Sequence, residues 1–389
     1  MPDYPAPRAA IEVHEVLAGV IDPELGSDIV DLGMLREVTV GADGLVEVEV
    51  ALTVSGCPLR TQLRSDIDNR VSSLSGVREV RVRFCEMDAA QRSAVMDRAR
   101  SKAQEDRSLF TDLPTAARVL AVSSGKGGVG KSSITVNLAV ALARRGLAVG
   151  LLDADIWGFS IPRLLGMRGE LQAKARKIVP MELAVGDGLL KVVSMGFLAD
   201  EDTAIMWRGL VLNRAVQQFL EDVRWGNVDY LLIDMPPGTG DIQMGLARML
   251  PRTEVLVVTT PPIAAQKVAA RAADMARKGH LRVAGVIENM AGFTCEHGTS
   301  YALFGEGGGR RLAEEIGVPL VGSVPLHPDI AAAGDCGQPV ALGDGPLGHT
   351  FDALAERIAQ DVAPVVDTSG CTARLLDHVE QALDASMQK

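Results

Sequence analysis

The ten residues Ser124–Ser133, with the sequence SGKGGVGKSS, constrain the fold of this chain more than any other stretch. An apolar run from Arg118 to Ser123 precedes them and predicts a buried strand. After them, Ile134, Leu138 and Leu142 recur at helical spacing. A G-x-x-x-x-G-K-S sequence between a strand and a helix is typical of a phosphate-binding loop, because its backbone N–H groups and the helix N-terminus together attract anions.

Two side chains in this loop have predicted roles on a nucleotide. Lys131 is expected to contact the β- and γ-phosphates, and the hydroxyl of Ser132 is expected to bind Mg²⁺. An ordinary glycine-rich turn is the competing interpretation, but the glycines, the lysine and the serine all stand in register. We therefore expect bound nucleotide to contact the whole loop: Gly125, Lys126, Gly127, Gly128, Val129, Gly130, Lys131, Ser132 and Ser133.

Length, charge and cysteine usage narrow the class of protein. The 389 residues are enough for two or three domains, and the formal charge of −11 argues against a broad nucleic-acid surface. The first residues lack a basic stretch followed by an apolar core, and no apolar run approaches the roughly 18 residues of a spanning helix. The 5 scattered cysteines are then expected to be free thiols or metal ligands. These features predict a cytoplasmic protein with neither membrane nor nucleic-acid partners.

The pattern of apolar residues divides the chain into four predicted parts. Residues 1–90 follow the order α-β-β-α-β, which predicts a small α+β domain with helices on one face of its sheet. Residues 91–114 are charged and lack an apolar stripe, as expected of a linker. Residues 115–365 alternate strands with helices. Residues 366–389 predict an amphipathic helix whose acidic polar face favours docking on the protein body or a partner subunit over a membrane.

Continuously apolar strands in residues 115–365 predict an α/β fold, with a mainly parallel sheet covered by helices on both faces. The predicted strands are Val119–Ser123, Val149–Asp153, Leu190–Ser194, Tyr230–Asp234, Val255–Thr259, Val283–Ile287 and Leu320–Val324. Ligands of such sheets bind at the carboxyl ends of the strands. The candidate site residues fall at these ends, which supports the prediction of a P-loop nucleotide domain.

Acidic residues end two of the predicted strands. Asp153 ends one of them and Asp155 follows it, and two carboxylates beside a phosphate site can hold Mg²⁺ through water or orient an attacking water. For Asp153 alone, a strand-end turn remains an alternative. Asp234 is a candidate Walker-B acid, an acceptor for the water shell of the metal. Gly238 follows in a loop, where its N–H could reach a γ-phosphate because glycine lets the backbone approach closely.

The sequence GKGGVGKS, with Lys126 as an extra lysine near its start, resembles the deviant Walker A of the ParA/MinD-type ATPases. Within that group the chain is similar to the Mrp/ApbC iron–sulfur cluster carriers in residues 153–162, 206–209, 229–241 and 287–290. The likeness covers nearly everything from about Arg118 to Phe351. The first domain, with Asp22-Pro23-Glu24 and Gly56-Cys57-Pro58, resembles the SufT-like domain fused ahead of many bacterial carriers.

The resemblance implies a homodimer that holds two ATP molecules and an iron–sulfur cluster, expected to be of the 4Fe–4S type. Its implied partners are apo iron–sulfur proteins and cluster-assembly proteins. Lys126 would reach the phosphates bound by the other subunit, where a second cation helps to stabilise the transferring phosphoryl group. Catalysis would then depend on Lys126, Lys131 and Asp155, with Asp155 positioning the attacking water. Asn289 would read the adenine and Pro325 would flank it.

The sequence departs from these carriers at the cluster site. They usually have C-x-x-C after a Glu-Asn-Met stretch, so that two subunits supply four thiolates, whereas this chain has Cys295 followed by His297. Two copies of this pair could hold a cluster through Cys₂His₂ ligation, or Zn²⁺; a free cysteine near a chance histidine is the alternative. Cys57 precedes a predicted helix and is a candidate auxiliary ligand or reactive thiol. The alternative is that it is a small buried side chain with no chemical role.

The combined prediction is a dimeric P-loop ATPase that hydrolyses ATP slowly and delivers an iron–sulfur cluster to apoproteins. Two alternatives stay open. One is a positioning ATPase of the ParA/MinD kind, against which the acidic charge argues. The other is an ATP-dependent scaffold that carries no cluster, which the missing second cysteine allows.

Overall fold

The computed structural model describes residues 6–22, 25, 27–52, 60–88, 90–92, 94–95, 98, 113–114, 116–156, 158–174, 177–197, 209–238, 246 and 249–365. The chain divides into two compact units, with a boundary between residues 108 and 109. The predicted helix over 366–389 and the candidate Cys57 lie outside the described residues. Across the described ranges, every helix is too short or too polar to cross a membrane.

The first unit is built on a three-stranded sheet. Its elements in chain order are α1 (Ala6–Leu17), β1 (Ile21–Asp22), β2 (Ser27–Asp28), β3 (Leu35–Val40), β4 (Leu45–Leu52), α2 (Arg60–Val71) and β5 (Glu79–Glu86). In the sheet, β4 is central, antiparallel to β3 and parallel to β5. The two short strands β1 and β2 pair only with each other. The predicted α-β-β-α-β order is present, with this short pair added.

The core of the first unit follows from the alternation of side chains along β4. Val46, Val48 and Val50 are at most 1% exposed and pack with apolar residues of α1 and α2. Val95, in the stretch predicted as a linker, is 2% exposed and belongs to the same core. The start of that stretch therefore packs on the first unit. Its charged composition hides this, because a single buried valine gives no apolar stripe.

An eight-stranded sheet forms the centre of the second unit. Its strands are β6 (Arg118–Ser124), β7 (Ala148–Asp153), β10 (Met181–Val185), β11 (Gly188–Val193), β12 (Tyr230–Asp234), β13 (Glu254–Thr259), β14 (Arg282–Glu288) and β17 (Leu320–Ser323). The spatial order is β10-β11-β7-β12-β6-β13-β14-β17, and every neighbouring pair is parallel except β10 with β11. The seven predicted strands and the mainly parallel sheet are thus confirmed.

The remaining elements of the second unit include two short hairpins and helices on the sheet. The hairpins are β8 (Gln172–Lys174) with β9 (Lys177–Val179), and β15 (Phe293–Thr294) with β16 (Ser300–Tyr301). The helices are α3 (Lys131–Arg144), α4 (Ile161–Leu164), α5 (Gly209–Asp222), α6 (Ile263–Lys278), α7 (Gly308–Ile316), α8 (Pro328–Asp335) and α9 (Pro346–Arg357), with 3₁₀ turns at Met195–Phe197 and Val340–Leu342 and a π-turn at Ile358–Val362. The edge strand β10 alternates exposed and half-buried residues, so it lacks the continuous apolar run of the others.

The position of α3 places the glycine-rich loop at the centre of the sheet. This helix starts where the loop after β6 ends, and it packs on β6, β7, β11 and β12 with α9 on its outer side. It is therefore buried almost all round. Because β6 lies between β12 and β13, the loop opens beside the carboxyl ends of both neighbours.

Candidate functional site

The glycine-rich loop requires glycine at three positions for two different reasons. Gly128 and Gly130 have φ angles of 79° and 80°, in the left-handed region that glycine adopts without strain. Gly125 lies against α6, where a Cβ atom would overlap the backbone of Val268 and Ala269. Two of the glycines are thus required by a left-handed backbone conformation, and the third by the close approach of α6.

Lys131 and Asp234 form a buried ion pair at the first turn of α3. Their side chains are 6% and 1% exposed, and Lys131 Nζ lies 2.7 Å from Asp234 Oδ1. Ser132 Oγ donates to Asp234 Oδ2 at 2.6 Å, and Thr135 Oγ1 lies 2.8 Å from Oδ1. Three groups from the start of one helix thus converge on one carboxylate. In this conformation the predicted phosphate-binding lysine is held by the predicted Walker-B acid.

Asp153 lies beside Asp234, because the two residues are partners in the β7–β12 register. Ser194 Oγ donates to Asp153 Oδ2 at 3.0 Å, and the N–H groups of Asp155 and Ile161 donate to this carboxylate at 3.2 and 3.4 Å. Burial, and then the negative charge of Asp234, raise the pKa of Asp153 to about 7. The carboxylate is therefore fixed inside the site, next to the P-loop lysine.

Asp155 lies just beyond the end of β7 and is half-buried. The N–H of Gly158 donates to its Oδ1 at 3.3 Å. Burial raises the pKa of Asp155, and the charge of Lys131 partly offsets that rise. This electrostatic interaction locates Asp155 near the P-loop lysine. Its role in positioning water stays a prediction.

Asn289 contacts the glycine-rich loop from the end of β14. The residue is 7% exposed, and its Nδ2 donates to the carbonyl of Val129 at 2.9 Å. A Cβ atom at Gly130 would overlap this amide nitrogen. Asn289 therefore supports the loop in this conformation, and its role in reading adenine stays a prediction.

Pro325 lines a cavity of about 730 Å³, together with Leu326, His327 and Val340. Cavities of a few hundred Å³ accept small organic ligands such as a purine base. Pro325 thus faces space in which a base could lie, and its contact with adenine stays a prediction.

Of the two remaining phosphate contacts that the sequence predicts, the one by Gly238 is not available as the site stands. Gly238 has a φ angle of 99°, and its N–H donates to the carbonyl of Ser124 at 2.9 Å. That amide could bind a γ-phosphate only after the loop moves. Lys126 is exposed, as a residue acting on another subunit would have to be. Both roles stay predictions.

Cys295 and His297 lie between β15 and β16, on a hairpin whose tip is exposed. The thiol of Cys295 is free, and the backbone N–H groups of His297 and Thr299 lower its pKa. Within the described part of the chain, no group of three or more His, Cys, Asp and Glu side chains could hold a metal ion. One copy of this hairpin therefore offers too few ligands for a cluster.

Three residues near the site escape the sequence prediction. Thr135 stands four residues after the loop lysine, on the same face of α3, and Ser194 follows the carboxyl end of β11. Glu288 ends β14 and accepts hydrogen bonds from the N–H of Gly309, at 2.8 Å, and from Ser323 Oγ, at 3.2 Å. Its carboxylate thus occupies the N-terminus of α7, so the glycine run before that helix already has an internal anion. A polar residue at a strand end is the signal that could have found Ser194 and Glu288.

The donor set beside the loop fits Mg²⁺. Magnesium prefers oxygen ligands, and the hydroxyl of Ser132 and the carboxylates of Asp153 and Asp234 supply them. These oxygens lie close together, because Ser132 is hydrogen-bonded to Asp234, and Asp234 pairs with Asp153 in the β7–β12 register. When bound, the ion would neutralise negative charge on the phosphates.

Comparisons with known proteins cover both units. Residues 115–362 match the family model described as "NUBPL iron-transfer P-loop NTPase", and residues 11–83 match the model described as "Iron-sulfur cluster assembly protein". A Mycobacterium tuberculosis protein named "Iron-sulfur cluster carrier protein" is 42% identical over 356 residues, which are 89% of this chain and 92% of the relative. A Synechocystis protein of the same name is 40% identical over 358 residues, or 90% and 97% of the two chains.

A solved structure adds a likeness of fold. It is a nucleotide-binding protein from Archaeoglobus fulgidus in complex with ADP, with 34% sequence identity and a TM-score of 0.51. The match covers 62% of this chain and 91% of the other.

Proposed function

This chain belongs to the family of iron-transfer P-loop NTPases, with an iron–sulfur cluster assembly domain ahead of the NTPase unit, and on that premise we propose that it binds and hydrolyses ATP and carries an iron–sulfur cluster to apoproteins. The observation that supports the nucleotide half is the convergence of Lys131, Ser132 and Thr135 on buried Asp234, beside a loop that needs its glycines. The names of relatives at about 40% identity, aligned over nine-tenths of the chain, support the cargo.

In the proposed cycle, the phosphates of ATP replace Asp234 as the partner of Lys131. The triphosphate attracts the ammonium group of Lys131 away from Asp234. With Ser132 and Asp153, the released carboxylate would hold Mg²⁺, which would neutralise negative charge on the phosphates. Asp155 orients the attacking water; its raised pKa makes it a better proton acceptor than an ordinary carboxylate. Lys126 of a second copy adds positive charge to the transferring phosphoryl group. Formation of the γ-phosphate contact by Gly238 breaks its bond to Ser124, which couples the nucleotide to the loop.

Loss of the P-loop lysine tests the nucleotide half. Lys131→Ala is expected to abolish phosphate release from ATP, because the only cation buried beside the loop among the described residues is removed. Lys174→Ala is the matched control, since this exposed lysine lies on β8. Phosphate release at the wild-type rate by Lys131→Ala would refute the site.

The proposed cargo site is formed by Cys295 and His297 from two copies of the chain. Backbone amides favour the thiolate of Cys295, the form that ligates metal, and His297 is exposed two residues away. One copy supplies a thiolate and an imidazole, so a homodimer supplies the four ligands that a cluster needs. Mixed Cys₂His₂ ligation has precedent in Rieske centres, although there the two histidines share one iron. Apo iron–sulfur proteins and cluster-assembly proteins are the proposed partners.

Anaerobic reconstitution with iron and sulfide tests the cargo half. The wild-type protein should develop cluster absorbance, and Cys295→Ala should lose it. His297→Cys should retain it, since a thiolate replaces an imidazole, whereas His297→Ala should weaken it. Cys336→Ala is the control, because this exposed free thiol is remote in sequence from the hairpin; Cys57→Ala tests the auxiliary ligand. A wild-type protein without absorbance overturns the carrier proposal, and equal clusters in every variant overturn the site.

A further inference from the structure

A second cavity, of about 600 Å³, lies among residues with no role in the proposed cycle. One wall is α4 and the turn after it, with Arg163 and Arg168; another is the turn after β11, with Gly196 and Phe197. Asp335, at the end of α8, contributes a carboxylate. The volume is that of a site for a small organic molecule.

The two arginines have unused hydrogen-bonding capacity. Both side chains are exposed, and neither has an ion-pair or hydrogen-bond partner among the described residues. Each guanidinium group presents five N–H donors in a planar fork that matches carboxylate and phosphate oxygens. The charged residues that line the cavity are these two arginines and Asp335, in a chain whose net charge is −11. The lining of this cavity is therefore cationic on an acidic protein.

Glycines allow the elements around the cavity to pack closely against each other. Gly166 and Gly337 touch each other with φ angles of 64° and 69°, and a Cβ atom on either would overlap the backbone of the other. At Gly196 a Cβ atom would lie 2.7 Å from the ring of Phe159. Side chains are thus excluded where these elements meet at the edge of the cavity, and Met167 adds a half-buried apolar side chain to its lining.

Both walls are hydrogen-bonded to the same carboxylate in the nucleotide site. Ile161, the first residue of α4, donates its N–H to Asp153 Oδ2 at 3.4 Å. On the other wall, Ser194 donates to the same oxygen at 3.0 Å and accepts the N–H of Gly196 at 3.1 Å. A ligand that moves either wall would move a group bonded to Asp153.

We propose that this cavity binds a small organic anion and thereby biases the position of Asp153, at the end of β7. Carboxylate or phosphate groups of the ligand pair with Arg163 and Arg168, and a hydroxyl or ammonium group donates to Asp335. The physical basis is the presence, around one cavity, of a carboxylate and of two guanidinium groups that have no partner among the described residues. The ligand acts as an effector of the nucleotide site, since its pocket shares hydrogen bonds with Asp153.

Calorimetry on the full chain, without nucleotide or iron, tests the binding site. L-malate represents a hydroxylated dicarboxylate and O-phospho-L-serine a phosphate with an ammonium group; glycerol is the uncharged control. At least one of the two anions should bind with one site per chain, and the tighter one identifies the preferred acidic group. Arg163→Gln and Arg168→Gln should each weaken binding about tenfold or more, and Arg168→Lys less, because it keeps the charge and loses the fork.

Arg310→Gln is the matched control, since this exposed arginine lies on α7. The proposal is overturned if neither anion binds, if both arginine variants bind as wild type does, or if Arg310→Gln weakens binding equally. Persistence of binding in Lys131→Ala excludes the phosphate-binding loop as the site measured. Its loss in a Lys131→Ala protein that is folded by circular dichroism assigns the binding to that loop and also overturns the proposal.

Coupling to the nucleotide site has its own measurement. The Kd for ADP, at fixed free Mg²⁺, should change at least twofold when the bound anion is saturating, and Arg168→Gln should remove the change. Linkage requires ADP to alter the affinity for the anion by the same factor. An unchanged Kd overturns the effector role. Since the binding test uses neither ATP turnover nor a cluster, its failure is distinct from failure of the proposed carrier function.

Discussion

Removal of either partner from the Lys131–Asp234 pair should destabilise the second unit before any nucleotide is added. Both side chains are almost fully buried, and their charged atoms are 2.7 Å apart. A buried charge left without its partner costs about 3–5 kcal/mol, so Lys131→Met and Asp234→Asn should each lower the free energy of unfolding by about that amount. In the double variant both charges are gone. Its loss should therefore be smaller than the sum of the two single losses, by about 2–3 kcal/mol.

Urea unfolding followed by tryptophan fluorescence is suited to this measurement. The 3 tryptophans of the chain, Trp157, Trp207 and Trp225, all lie after the boundary at residue 108, so their emission reports on the second unit. The wild-type protein should also gain about 2.7 kcal/mol from ADP at one hundred times its Kd, and Lys131→Met should gain little. Additive losses in the cycle, to within about 0.5 kcal/mol, would show that the two charges do not depend on each other and would refute the reasoning.

Three further predictions concern other buried features. The pKa of Asp153 is about 7 in the folded chain and 3.8 ordinarily, so between these pH values the folded state binds a proton that the unfolded state does not. The free energy of unfolding should therefore fall as pH rises from about 4 to 7. In urea titrations at each pH, Asp153→Asn should show a flatter dependence of this free energy on pH. Gly125→Ala forces a Cβ atom into the backbone of α6 and should cost about 1–3 kcal/mol and weaken ADP binding; a thermal midpoint equal to that of wild type would contradict the close approach. Arg282→Met leaves Glu254 with one ion-pair partner among the described residues, Arg118, 3.8 Å away, and should cost about 3 kcal/mol in urea unfolding. A neutral result would show that the 2.6 Å pair contributes nothing to stability.

Two features of the structure were not predicted from the pattern of apolar residues: the antiparallel edge strand β10, and the packing of Val95, in the predicted linker, on the first unit. β10 pairs with β11 through backbone hydrogen bonds, which require no apolar run. Val95 is buried in a core that also contains residues of α1, α2 and β4, which lie far away in the chain. For Val95 the deciding contacts lie outside any local window of sequence. β10 is joined to β11 by a turn of two residues, so its partner is local, and it escapes detection because its exposed residues interrupt the apolar run.

Local chemistry in the sequence was sufficient for the phosphate-binding loop and the seven parallel strands. Glycine spacing, a lysine followed by a serine, and continuous apolar runs are properties of short segments, and each corresponds to one backbone conformation or one burial state. Acids at strand ends also follow from local order, since parallel strands bring their carboxyl ends to one edge.

Only the tertiary structure decided which of these groups meet. Insertion of β12 between β6 and β7 brings Asp234 to Ser132, 102 residues away, and the position of β14 brings Asn289 to Val129, 160 residues away. The hydrogen bond from Gly238 to Ser124 and the cavity of about 600 Å³ between α4 and α8 also depend on contacts between distant segments. Strand order depends on how the whole chain crosses over the sheet, and contacts between distant segments depend on that order. Neither the strand order nor these contacts can be deduced from a short segment of the sequence.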